Sequence, residues 1–191
     1  VIVIDKGRVV SVDKAGSPVP LEATVIDAGG KWVTPGIISA FSRIGIVEVD
    51  AENTTDDTSA GESDYSVALD AADGFNPDAT AIAVTRIEGI TRIVVAPEAT
   101  SNLFAGQGFI ADTSGSVDTE IDRKAFLLVS MGEQGASLAG GSRPAAWAQL
   151  RAALDDAKAY PARYLASNEG TALDRVDAAA LVPAAKGQQL I

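Results

Sequence analysis

The sequence predicts an α/β chain organised around a parallel sheet, and three observations lead there. Val/Ile-rich runs at residues 37–49, 91–97 and 125–130 read as strands buried on both faces. A helical segment at residues 79–88 separates the first two runs, and strand, helix and second buried strand make a βαβ unit. Of the 191 residues 47% are hydrophobic and only 5% aromatic, so the core must be aliphatic, with Ala favouring helices and Val/Ile favouring strands.

Residues 1–33 read as short strands. Val1-Ile2-Val3-Ile4 is apolar, Asp5-Lys6-Gly7 is a turn, and residues 8–12 alternate partially. Residues 24–27 and 31–33 flank Ala28-Gly29-Gly30 as a second hairpin. Thirty-odd residues cannot hold a core alone, so this unit needs partner strands. Pro35-Gly36 punctuates the chain before the first buried strand. Residues 48–64 carry Glu48, Asp50, Glu52, Asp56, Asp57, Glu62 and Asp64 with no Lys or Arg, as a solvated loop does.

Residues 66–73 read as a short helix, and Asp78 as the N-cap of a helix that Gly89 stops. Residues 101–111 read as a Gly-punctuated loop, extended only near 108–111. Ser142 caps the strongest helix, with Pro144 in its first turn and Trp147, Leu150, Leu154 and Ala157 on one face; Pro161 ends it. A final helix spans 174–186 with Val176, Ala179, Ala180 and Leu181 inward.

Composition excludes several functions. A net charge of −11 repels nucleic-acid backbones and anionic membrane surfaces. No run of about 18 apolar residues offers a membrane-spanning helix. With no Cys, disulfides and thiolate metal sites are out; with no His, so are a Ser-His-Asp triad, an imidazole base and a His-ligated zinc. The chain opens at Val1 inside an apolar run, which points to a processed or truncated start. Bacterial cytoplasm and periplasm both stay open.

Four motifs have bland counterparts. The acidic loop can hold Ca²⁺ through carboxylates, but it lacks the D-x-[DN]-x-[DN]-G spacing. Gly106-x-Gly108-x-x-Ala111 fits a dinucleotide fingerprint in form, yet a turn, not a helix, follows. Gly141-Ser142-Arg143 lacks the flanking glycines of a nucleophile elbow, and helix capping explains Ser142. Asn53-Thr54-Thr55 matches a glycosylation sequon.

Asp5-Lys6-Gly7-Arg8-Val9-Val10, then Val25-Ile26-Asp27-Ala28-Gly29-Gly30-Lys31-Trp32-Val33-Thr34-Pro35-Gly36, then Gly89-Ile90-Thr91-Arg92-Ile93-Val94-Val95 together resemble the amidohydrolase superfamily. Ser101-Asn102-Leu103-Phe104-Ala105-Gly106-Gln107-Gly108 is similar to a loop of its imidazolonepropionase-like branch. The resemblance implies a small β-sandwich contribution from residues 1–34 and the first part of a (β/α)₈ TIM-type barrel over 35–191. About 250 residues make a whole barrel, so the barrel is incomplete. The remainder of the barrel or a second chain, including a homo-oligomer, is expected to cover the open edges.

The family binds zinc or another divalent metal through a His-x-His pair after the Pro-Gly turn. Phe41 and Arg43 stand at those positions. No catalytic residue and no metal or other cofactor are expected from this chain by itself. The resemblance implies a hydrolase of carbon–nitrogen bonds with a degenerate or rebuilt metal site; the alternative is a scaffold that keeps the fold without the chemistry. Candidate contacts to a small-molecule substrate are Arg43, by charge, and Asn102 and Gln107, by the loop resemblance. Arg43 has a plainer reading as a partner of a nearby acid.

Overall fold

The computed structural model describes residues 1–49, 51–116, 119 and 121–191; Asp50 of the acidic loop lies outside them. The chain divides into two compact units, Val1–Pro35 and Gly36–Ile191.

In the first unit β1 (Ile2–Asp5) and β2 (Arg8–Val12) form an antiparallel hairpin. Lys6 and Gly7 turn it at positive φ, 47° and 72°, as primed hairpin turns require. The second expected hairpin is not made. Its turn exists: the Lys31 N–H donates to the Ala28 carbonyl at 2.9 Å across Gly29 and Gly30, both at positive φ. The flanks stay unpaired, with Ile26 88% and Trp32 93% exposed. A lone two-stranded ribbon is marginal in water. Of the strands expected in residues 1–34, the described residues pair two, as a single hairpin.

In the second unit β3 (Ile37–Ser42), α1 (Thr80–Ile87) and β4 (Ile90–Val95) form the expected βαβ unit, with the two strands parallel. Gly89, at φ 85°, ends α1. Asp78 does not cap it. Ala79 takes that place without a side-chain bond, because Asn76 turns the chain first and its Oδ1 accepts the Asp78 N–H at 2.9 Å. The helix expected at 66–73 is only a 3₁₀ turn, Ala71–Gly74, capped by Asp70.

β3 stops well before residue 49. Phe41 sits at φ 50°, the pairing with β4 slips between Ser39 and Ser42, and Gly45 turns the chain at φ 86°. A Cβ on Gly45 would lie 2.3 Å from the Phe75 ring, so the turn needs glycine twice over.

Residues 101–111 correct the sequence reading most. They are mainly strand: β5 (Phe104–Asp112) is almost wholly buried and runs antiparallel to both β4 and β6 (Ile121–Val129). The sheet is open and mixed, in the order β3-β4-β5-β6, so the expected all-parallel arrangement gives way to one antiparallel member. β3, β4 and β6 still point the same way. Leu190 continues that sense, bridging Phe126 in parallel and accepting the Leu127 N–H at 2.9 Å.

The glycines that disguised β5 mark close approaches. A Cβ on Gly106 (φ 119°) would lie 2.8 Å from the Leu69 carbonyl oxygen, and one on Gly108 would enter the Phe126 ring at 2.1 Å. The fingerprint-like Gly106-x-Gly108-x-x-Ala111 thus lies inside a strand, with no helix opening after it, and the dinucleotide reading is excluded.

Two cores flank the sheet. Ile46, Ile82, Ile93, Val95 and Phe109 form one with α1; Leu103, Phe104 and Leu127 join α2 (Glu133–Leu138), α3 (Arg143–Lys158) and α4 (Arg175–Ala185) in the other. Ser142 caps α3 as expected, its Oγ accepting the Ala145 N–H. The buried stripe of α3 is Ala146, Leu150, Ala153, Asp156 and Ala157, and its three alanines let neighbours approach closely. Trp147 is therefore turned out, half exposed, with the Arg151 guanidinium 5.8 Å from its ring. In α4 the inward residues are Asp177, Ala178, Leu181 and Ala184; Val176 is exposed, and Ala179 and Ala180 only half-buried.

Candidate functional site

Parallel strands bring their C-terminal ends to one side, and the chain gathers charge there. Phe41 and Arg43 close β3. The Ser42 Oγ donates to the Val94 carbonyl at 3.3 Å, and the Ala96 N–H donates to the Ser42 carbonyl at 3.1 Å, which fixes the two strand ends together. The Arg43 carbonyl accepts the N–H groups of Ile46 and Val47, which closes a tight turn just past β3. Its Nη1 lies 3.9 Å from Glu98 Oε2, and both side chains are half exposed.

Glu98 is placed by its backbone. Its N–H donates to the Thr58 carbonyl at 2.8 Å, tying the stretch after β4 to the acidic loop. Asp56 Oδ1 accepts both the hydroxyl and the N–H of Thr58. Those two bonds hold its carboxyl below the usual range, and the charge of Arg43 adds to the shift. Arg43 thus faces two carboxylates but holds neither bidentately. A guanidinium has five N–H donors in a planar fork, and one long ion pair leaves most of them for another anion.

Phe41 is 70% exposed, and its ring meets that of Phe126 edge-to-face at 5.9 Å. The structure therefore brings Phe41 and Arg43 to the same strand end. Among the described residues no hydrogen bond or ion pair joins Arg43 to the other two candidates. Asn102 starts β5, its Oδ1 accepting the Phe104 N–H at 2.8 Å. Gln107 is buried within β5 rather than displayed on a loop. Its Nε2 donates to the Val67 carbonyl at 2.7 Å, and its Oε1 accepts from Gln189.

Sequence reading missed Glu98, and it took Asp56 only as one acid of the solvated loop. The available signal for Glu98 was its position, a charged residue just past a buried strand. It also missed Asp156 and Asp177, buried carboxylates on α3 and α4, for which local pattern gave no signal.

A divalent ion does not fit the end of β3. Phe41 has no lone pair, and Arg43 is a permanent cation. Among the described residues no three Asp or Glu side chains gather closely enough to hold an ion. Two of the loop acids take other partners: Glu52 accepts from the Thr54 N–H and hydroxyl in a local turn, and Glu48 accepts from Asn76 Nδ2, 28 residues on.

No family model matches the chain. Its sequence is 27% identical over 111 residues to amidohydrolase tasK of Hapsidospora irregularis, covering 57% of this chain and 11% of that protein. Its structure matches the crystal structure of an amidohydrolase from Thermotoga maritima MSB8 with a TM-score of 0.74, at 23% identity, over 94% of this chain and 49% of that one. The chain thus spans about half the length of the solved structure and a small part of the relative. By sequence it is similar to an amidohydrolase, and by architecture it shares the α/β fold of one.

Proposed function

We propose that the chain is part of an amidohydrolase-type hydrolase of non-peptide amides or cyclic amides, in which a guanidinium stands where the resemblance would put imidazole. The observation that carries this reading is Arg43, projecting at the C-terminal end of β3, the end at which (β/α) barrels build their sites. The common direction of β3, β4, β6 and Leu190 supports taking them as successive barrel strands, with β5 inserted. The imidazolonepropionase-like branch rests on residues 101–108 alone.

In this reading Arg43 binds a substrate carboxylate in the bidentate manner, exchanging its long contact with Glu98 for it. Phe41 offers an apolar wall beside it. In metal-dependent hydrolases a bound ion activates water; Phe41 and Arg43 cannot ligate one, so no step is assigned to a metal here. The rest of the barrel, or a second copy, would cover the exposed Ile37 and Ile38 of β3.

The test uses the whole protein and a panel of amides and cyclic amides with and without a carboxylate. Arg43→Met should raise KM at least tenfold for the carboxylate-bearing members and leave the neutral ones unchanged. Equal effects on both sets would remove Arg43 from the site. The second reading, a scaffold without chemistry, is favoured by the lack of any imidazole. It gains if nothing in the panel is turned over. Metal analysis of this chain should find no stoichiometric zinc, and one equivalent per chain would overturn that expectation.

A further inference from the structure

The Arg43–Glu98 pair offers charge of both signs to solvent. Nη1 and Oε2 stand 3.9 Å apart with more than half of each side chain exposed, so a ligand can reach both heads. At that separation each head keeps most of its hydrogen-bonding capacity, the guanidinium its fork of N–H donors and the carboxylate its oxygen lone pairs. An exposed pair of this length opens at little cost.

The frame beneath the pair is fixed. The Ser42 hydroxyl and carbonyl bind the backbone at Val94 and Ala96, and the Glu98 N–H is tied to the Thr58 carbonyl at 2.8 Å. Phe41, two residues before Arg43, is held at φ 50°. That conformation costs a bulky residue energy, persists only where the surroundings impose it, and clusters at ligand sites.

Charge decides what kind of ligand suits the pair. Arg43 brings one positive charge, and Glu98 and Asp56 bring two negative ones that its guanidinium faces. A ligand that is only a carboxylate gains Arg43 but meets both acids, and the net charge of −11 repels it on approach. A ligand that is only a cation gains Glu98 but meets Arg43. A ligand with an ammonium beside its carboxylate answers both heads and, being neutral overall, is not repelled.

We infer, resting on the reading of this strand end as the hydrolase site, that the substrate presents an α-amino acid end and carries its amide elsewhere, on the side chain. Arg43 takes the α-carboxylate, and Glu98, released from Arg43, takes the α-ammonium. Glu98 is then a specificity-determining residue, which disfavours carboxylates that lack the amine.

Binding needs no turnover, so it separates this assignment from the hydrolase reading. The probes are L-alanine, propionate and ethylammonium, titrated into the isotopically labelled protein. L-Alanine should give saturable shifts at the Arg43 Nε–H and the Glu98 amide, and each half-probe should bind more weakly by roughly fivefold or more. Glu98→Gln should weaken L-alanine by a similar factor and tighten propionate, because a competing carboxylate is gone. Arg43→Met should weaken both. A merely structural role would move both ligands the same way in either variant. If no amide is turned over and this crossover is still seen, the hydrolase reading falls and the zwitterion site stands. No saturable shifts with L-alanine, propionate binding as tightly as L-alanine, or Glu98→Gln weakening both alike would each overturn the assignment, whatever the turnover.

Discussion

Phe41 and Phe126 sit on opposite edge strands of a four-stranded sheet, yet their ring centroids are 5.9 Å apart. The edge strands of a four-stranded sheet lie about 14 Å apart, so both rings reach inward over β4 and β5 to meet. Phe126 lies where Gly108, its partner on β5, has no side chain. Gly108→Ala should displace that ring and cost about 1–3 kcal/mol by overpacking. Chemical denaturation reads it, and Phe126→Leu in the same chain should recover part of the loss.

Arg43 should matter little to stability. Its contact with Glu98 is long and half exposed, the kind of pair worth about 0–1 kcal/mol. Arg43→Met and Glu98→Gln should each leave the denaturation midpoint nearly unchanged. A large loss in either would mean that the guanidinium is structural.

Asp156 should set the acid limit of the fold. Burial opposes its charge, but the N–H groups of Ala172, Thr171 and Leu173 and the Arg163 guanidinium outweigh burial and hold the carboxyl below its ordinary value. The unfolded chain, at about 3.9, takes the proton first. The stabilisation is complete above that pH and is lost as pH falls through the lower folded value. Thermal unfolding between pH 2 and 6 should show the decline, and Asp156→Asn should flatten it. Asp156→Ala at neutral pH should cost about 3–5 kcal/mol, since Arg163 and three N–H groups lose their partner.

Asp177 plays the matching part on α4. Its Oδ2 accepts the Ser66 N–H at 2.9 Å and the Ser66 hydroxyl at 2.8 Å, and its Oδ1 accepts the Ala68 N–H at 2.8 Å. Asp177→Ala should cost about 3 kcal/mol by leaving buried N–H groups unpaired, and Ser66→Ala about 1 kcal/mol. With the carboxylate already gone, Ser66→Ala should cost almost nothing, which a double-mutant cycle measures.

What could be read from the sequence followed periodicity and caps. The β3-α1-β4 unit came from two aliphatic runs and Gly89, and α3 from Ser142 and Pro144. The start of the candidate site came with β3, because Phe41 and Arg43 directly follow its apolar run. β5 was hidden because Gly106 and Gly108, which look like loop residues, are there to admit Leu69 and a phenyl ring. Trp147 misled because volume is no guide to orientation when the helix packs through alanines. Glu98, Asp56, Asp156 and Asp177 act through partners distant in sequence or in turns, which no local pattern reports.

The Ser66–Asp177 link spans 111 residues of chain. During synthesis at about 5–20 residues per second, Ser66 leaves the ribosome roughly 6–22 s before the carboxylate that anchors it. For that interval the segment near residue 66 has its backbone donors open to water, and a chaperone or protease meets it in that state.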